Sequence, residues 1–268
     1  MKKILYLVFV FTIGNTITTK AQDQFTGIVN YHFIINNPDG TTFARPYKLY
    51  FNNKVSFHVA NGWAERIDHI DDLNTMETTG KMIERKNIQS TLPKDYVYTN
   101  LKNKILIFQE EIVQKLYTLT DDSIPNIKWE LSTENKKIGK YTCQKAVGFY
   151  RGRTYTVWFT TEIPVSHGPW KLRGLPGLIL EAKDDRSKFS FRAAKVNLNP
   201  NKKEVLEKLK KPELGKLSNM EKYRMAIKNR QKDFDAMYRA SSSRRNIKFK
   251  EGCDECPKAE DLSLEIFK

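Results

Sequence analysis

Cys253-Asp-Glu-Cys256 is the densest set of reactive side chains in this 268-residue sequence. Two thiols at that spacing can close a small disulfide loop in an oxidising compartment, or supply half of a tetrahedral soft-metal site. A metal would need two further ligands, with Cys143 and one of His32, His58, His69 or His167 available. Its identity is unknown. No βαβ pattern surrounds the pair, so a thioredoxin-like redox role has little support. The disulfide is the simpler reading, and Cys143 is left as a buried free thiol in an alternating strand. Paired acids occur at Asp71-Asp72, Asp121-Asp122 and Asp184-Asp185. All three sit in turn-like contexts, where acids are usually solvated, so a glycosidase pair is unsupported. Ser166 precedes His167, but sequence neighbours do not make a triad. No G-x-S-x-G, H-E-x-x-H or Walker pattern is present. No catalytic residue and no cofactor is assigned, and binding is expected rather than catalysis.

The binding candidates cluster around Gly168-Pro-Trp-Lys-Leu-Arg-Gly-Leu-Pro-Gly-Leu-Ile-Leu-Glu181. Gly174 and Gly177 permit backbone angles or close approaches that a Cβ would block, and Pro176 fixes one φ between them. Leu175, Leu178 and Leu180 can then face a core, with Glu181 outward. Trp158, His167 and Trp170 could rim a ligand mouth framed by this turn. The competing reading is a packing corner, which Gly/Pro turns form more often than binding sites.

The elements that must position these residues are mostly strands. Residues 27–35, 47–51, 54–59, 96–98, 105–108 and 112–119 alternate or are rich in β-branched and aromatic side chains. So do 129–131, 138–147, 154–159, 178–182 and 188–196. Asn37-Pro-Asp-Gly40, Asn100–Asn103, Tyr150–Arg153 and Asp184-Asp185 mark the turns, and residues 61–80 lose the pattern. A short helix over 202–211 stops at Pro212. Ser218-Asn-Met-Glu221 reads as a capping box opening a second helix, with Met220, Tyr223, Ile227, Phe234, Met237 and Tyr238 on one face. Ile247–Phe249 and Leu262–Ile266 read as closing strands. The expected fold is mainly β (α+β), a curved antiparallel sheet or half-open barrel with one or two C-terminal helices packed on it.

Gly174-Leu175-Pro176-Gly177-Leu178-Ile179 spells the motif of the GLPGLI family, secreted proteins of Bacteroidetes with no established activity. The resemblance extends through Val157-Trp158-Phe159-Thr160, Ile163-Pro164 and Gly168-Pro169-Trp170, and covers roughly residues 24–200. The order of elements is also similar, at fold level, to the LolA and LolB lipoprotein carriers. A fold does not confer a function.

Lys2 and Lys3, the apolar run Ile4–Ile13 and Thr19-Lys20-Ala21 read as a signal peptide over residues 1–21, cleaved before Gln22. Residues 22–268 then form one β-rich domain, exported to the periplasm or cell surface. No cysteine near the cleavage site suggests lipid anchoring. The formal net charge is +15, and residues 201–250 carry 16 Lys/Arg against 6 Asp/Glu. Nucleic acid is disfavoured as a partner by the export signal and the absence of its motifs. The expectation is an exported, non-catalytic binding or carrier protein holding a lipid, peptide or other apolar ligand on a concave sheet face. The alternatives are an envelope accessory protein meeting an outer-membrane transporter or anionic membrane surface through helix 218–240, or a metal-binding protein using Cys253 and Cys256.

Overall fold

The computed structural model describes residues 25–37, 40–62, 64–67, 95–121, 126–243 and 263–267. The signal segment 1–21, Trp63, His69, Asp71-Asp72, Asp122, Ile247–Phe249 and the Cys253/Cys256 pair lie outside them.

Twelve strands form one sheet: β1 (Thr26–Asn36), β2 (Thr42–Asn52), β3 (Val55–Ala60), β4 (Glu65–Ile67), β5 (Tyr96–Asn100), β6 (Ile105–Ile112), β7 (Lys115–Asp121), β8 (Trp129–Ile138), β9 (Tyr141–Tyr150), β10 (Arg153–Thr160), β11 (Leu178–Asp184) and β12 (Phe189–Asn197). The order is β7-β6-β5-β3-β2-β1-β12-β11-β10-β9-β8, with β4 beside β2. Every pairing is antiparallel, and the sheet stays open, with β7 and β8 at its edges. The expected antiparallel, half-open architecture is therefore present. Chain-local turns explain most of it. Arg151 (φ 51°) and Gly152 (φ 84°) make the two-residue β9–β10 turn, whose positive φ values match the twist of the strands it joins.

Two helices follow β12. In α1 (Lys202–Lys208), Asn201 caps the start by accepting from the backbone N–H of Lys203 and Glu204. Val205 and Leu209 pack on Tyr50, Ile28, Val55, Phe57 and Val59. The apolar alternation of β3 thus serves this outer layer, while Ser56 and His58 point to the opposite, buried side. The second helix, α2 (Met220–Ser243), covers that opposite side through Tyr223, Ala226 and Ile227, which join the main core with Phe108 and Tyr117.

Two local expectations need correction. Asn219 caps α2, one residue later than the expected Ser218, by accepting from Glu221 N–H at 2.7 Å. Ser218 is held by β7 instead: its N–H donates to the Thr118 carbonyl at 2.7 Å, and its hydroxyl accepts from Thr118 N–H at 3.3 Å. In the expected closing strand at Leu262–Ile266, the described residues 263–267 are irregular. Ile266 N–H reaches the Arg151 carbonyl, but side chains take the neighbouring carbonyls: Arg153 binds Ser263 and the Tyr155 hydroxyl binds Leu264. Side chains, rather than a neighbouring strand, satisfy these carbonyls.

Candidate functional site

The glycine-rich segment runs from β10 to β11 as a tight corner. The backbone N–H groups of Leu178 and Ile179 donate to the carbonyls of Ile163 and His167, at 3.0 and 3.1 Å. A Cβ on Gly177 would lie 2.1 Å from the Thr160 carbonyl oxygen, so this position needs glycine for close approach. Gly174 needs it for its φ of 93°. Leu175, Leu178, Ile179 and Leu180 are all buried.

The six candidates do not converge on one rim. Pro176 and Gly174 are exposed, and Gly177 is buried against β10. His167 is interior, with Nε2 at 3.0 Å from the Asn52 carbonyl, and burial pushes its pKa down to about 4. The neutral ring therefore donates from Nε2. Trp158 lies under the Lys136 ammonium, 4.5 Å from ring centroid to Nζ. Only Trp170, packed edge-on against Tyr150, lines the partly open cavity on the inner side of the sheet.

That cavity holds about 200 Å³. It is narrower than the broad apolar face expected, because α2 and the 263–267 segment fill part of the concavity. Its floor is aromatic. Tyr47 and His58 stack at 4.7 Å and 4°, Phe33 stacks on Phe191 at 4.7 Å, and His58 meets Phe191 edge-on. His58 is 2% exposed, its Nε2 has no hydrogen-bond partner, and burial pushes its pKa down to about 3. It is a neutral, planar wall component at ordinary pH.

One wall is charged. Arg45 donates to Asp95 at 2.6 Å. Lys171, buried in the middle of the glycine-rich segment, pairs with Glu265 and sits 3.4 Å from the centroid of Phe108. The Tyr223 hydroxyl lies 2.7 Å from Glu110 and 3.2 Å from Glu265. A phenol has one proton, so it cannot donate fully to both carboxylates. Burial raises the Glu110 pKa against the pull of Lys171 and Arg230, although 27% of its side chain stays exposed and limits the effect. A protonated Glu110 would donate to the Tyr223 oxygen and remove the conflict. The arrangement can accept a flat apolar group on the aromatic floor and an ionic or polar group at the wall. Among the described residues no three His, Cys, Asp or Glu side chains gather as a metal site.

Sequence reasoning missed most of this wall. Lys171 alone carried a signal, as a cation inside an otherwise apolar glycine-rich run. Asp184 also departs from the solvated acid expected: it is buried and binds the fully buried Arg153 at 2.8 Å. Asp121 is likewise drawn in by Arg151 at 2.7 Å. Cys143 is free and buried, as expected.

PNGF-II, solved in space group C2, is 16% identical with a TM-score of 0.50, covering 77% of this chain and 33% of PNGF-II. This chain therefore spans about a third of that protein's length. An uncharacterized conserved protein from Thermus thermophilus is 8% identical, with a TM-score of 0.37 and coverage of 73% and 90%. An outer membrane lipoprotein-sorting protein domain from Vibrio parahaemolyticus is 6% identical, with a TM-score of 0.28 and coverage of 68% and 89%. No curated protein matches the chain. The family model described as "N-glycanase peptide, N-terminal domain" matches residues 66–224, more than half of the sequence, and the chain belongs to that family.

Proposed function

We propose that the chain is an exported binding module of the GLPGLI type that takes a flat, apolar ligand group into the inner cavity. The observation that carries this reading is the stacked floor of Phe33, Tyr47, His58 and Phe191 facing a wall of ion pairs. Such a site orients an amphipathic ligand: ring faces gain from burying its apolar body, and the wall rewards a polar end. The test is titration with a fluorescent apolar amine, 1-aminoanthracene. Saturable binding should fall at least tenfold in Ile35→Trp, which fills the half-buried cavity rim. Absence of saturable binding, or equal binding by the variant, refutes the reading. Export is checked by N-terminal sequencing of protein recovered outside the cytoplasm, which should begin at Gln22.

A second reading follows from the family match. As a relative of an N-glycanase N-terminal domain, the chain would recognise glycan-bearing peptide rather than a free apolar ligand. Calorimetry with an N-glycosylated peptide and the same peptide without its glycan separates the two. A clear preference for the glycosylated form supports the second reading, and none removes it.

A further inference from the structure

β12 is supported on its two sides over different lengths. On the β1 side its ladder runs from Phe189 to Asn197, with a bulge at Ala194 where the register shifts. On the β11 side it pairs only through Ser190, Phe191 and Arg192. The reason lies in β11. Ile179 stays paired with Phe159 of β10, but its carbonyl is taken by the Tyr31 hydroxyl and its N–H by the His167 carbonyl, so neither is offered to β12. Ala193–Asn197 therefore run past the end of the pairing, with a ladder on one side alone.

This half-open stretch forms one wall of a concavity of about 610 Å³. The end of the β8–β9 hairpin, Lys136 to Tyr141, forms the opposite wall. The lining is cationic. Lys136, Lys137, Lys140, Arg192 and Lys195 face it, and Glu181 is the single acid among the lining residues. Glu181 is already engaged by Lys136 at 2.8 Å. Lys137, Lys140 and Lys195 are exposed and make no ion pair among the described residues. Between the charges the walls are low and apolar at Ile138, Ala193, Ala194 and Val196. No residue of this groove lines the aromatic cavity.

We propose that the groove is a docking site for an extended acidic peptide, which adds to the Ala193–Asn197 edge of β12 as a short antiparallel or parallel strand. An open edge supplies main-chain hydrogen bonds, and flanking side chains supply selectivity. Five residues of strand span about 17 Å at ~3.4 Å per residue, so four to six ligand residues are a reasonable estimate for the ladder. Small side chains at Ala193 and Ala194 let a second backbone approach. The surrounding lysines reward carboxylates on the ligand and repel basic strands. A planar lipid surface does not enter a concave slot. Single-stranded nucleic acid would want free ring faces, yet Trp158 is covered by Lys136, and Tyr141 is buried.

The probe is an acetylated and amidated nonapeptide of alternating Glu and Val, titrated calorimetrically into the mature chain. Saturable one-to-one binding is expected. Lys137→Glu with Lys195→Glu should weaken it at least tenfold, and reversal of the exposed helix residues Lys222 and Lys228 should change it less than twofold. The same peptide with alternate backbone nitrogens methylated keeps its charges but loses ladder donors, and should also bind at least tenfold more weakly. Equal binding of the methylated peptide, equal losses from the groove and helix variants, or no binding overturns the proposal. Tighter binding of a heparin tetrasaccharide than of the peptide also overturns it, in favour of an acidic glycan. Unchanged thermal unfolding of the variants establishes that these losses come from the surface rather than from misfolding.

Discussion

Replacing Glu265 by Gln removes the only carboxylate paired directly with Lys171 among the described residues while keeping the side chain's shape. Both side chains are 1–2% exposed, so the remaining ammonium cannot turn to solvent. Removing one partner of a buried pair typically costs about 3–5 kcal/mol. The lower end applies here, because Lys171 keeps the ring faces of Phe108, Trp170 and Tyr223 at 3.4, 5.3 and 5.8 Å. Such contacts are worth about 2 kcal/mol when desolvated and are not lost in the variant. The expected destabilisation is roughly 3 kcal/mol, by the same principle. For a domain of this size that is about 6–12 °C in Tm, at 2–4 °C per kcal/mol. Urea unfolding followed by tryptophan fluorescence and far-UV circular dichroism measures it. The double variant Lys171→Met with Glu265→Leu removes both charges and should recover at least half of the loss, since the cost comes from an unpaired ion rather than from missing attraction. Two results refute the reasoning: Glu265→Gln within about 0.5 kcal/mol of wild type, the range of ordinary surface changes, or a double variant as unstable as the sum of its parts.

Arg153→Lys should destabilise by about 2–4 kcal/mol, because lysine cannot hold Asp184 and the Ser263 carbonyl with one planar fork; chemical denaturation measures it. His58 and His167 have folded pKa values of about 3 and about 4, below the unfolded value near 6.5. The unfolded chain therefore binds more protons below pH 6.5, so their contribution is complete above that value and is lost as pH falls towards 4. Stability should drop by up to about 2.7 kcal/mol per pH unit between pH 6 and 4.5, and His58→Phe should halve the slope; a flat urea midpoint over that range contradicts this. Gly177→Ala should cost more than Gly174→Ala. The first forces a carbon to within 2.1 Å of a backbone oxygen, and the second adds about 1 kcal/mol of φ strain with an ordinary contact to Trp129 Nε1 at 3.8 Å. Differential scanning calorimetry ranks them, and the reverse order would mean the corner is looser than its contacts imply.

Much of this architecture was legible residue by residue. Alternation in Val55–Val59 and 188–196, with turn residues at Asn37–Gly40 and Tyr150–Arg153, specifies strands and hairpins because the pleat and the φ requirements are local. Gly174 and Gly177 were legible as positions needing a special backbone angle or a close approach, and Cys143 as a buried thiol. The α2 cap was misplaced by one residue because Thr118, about a hundred positions away, claims Ser218.

The sequence by itself determined the antiparallel β class, the turns, two helices and the tight corner at Gly174–Gly177. The tertiary structure decided which face of each strand meets which partner. β3 shows why: apolar Val55, Phe57 and Val59 serve α1, whereas polar His58 supplies the floor of the inner cavity. It also decided the fate of charge. Lys171 with Glu265 and Arg153 with Asp184 join segments 94 and 31 residues apart, and nothing local marks an ion for burial. Period and turn chemistry act over a few residues, while desolvation and long-range pairing exist only once the sheet has brought distant strands together.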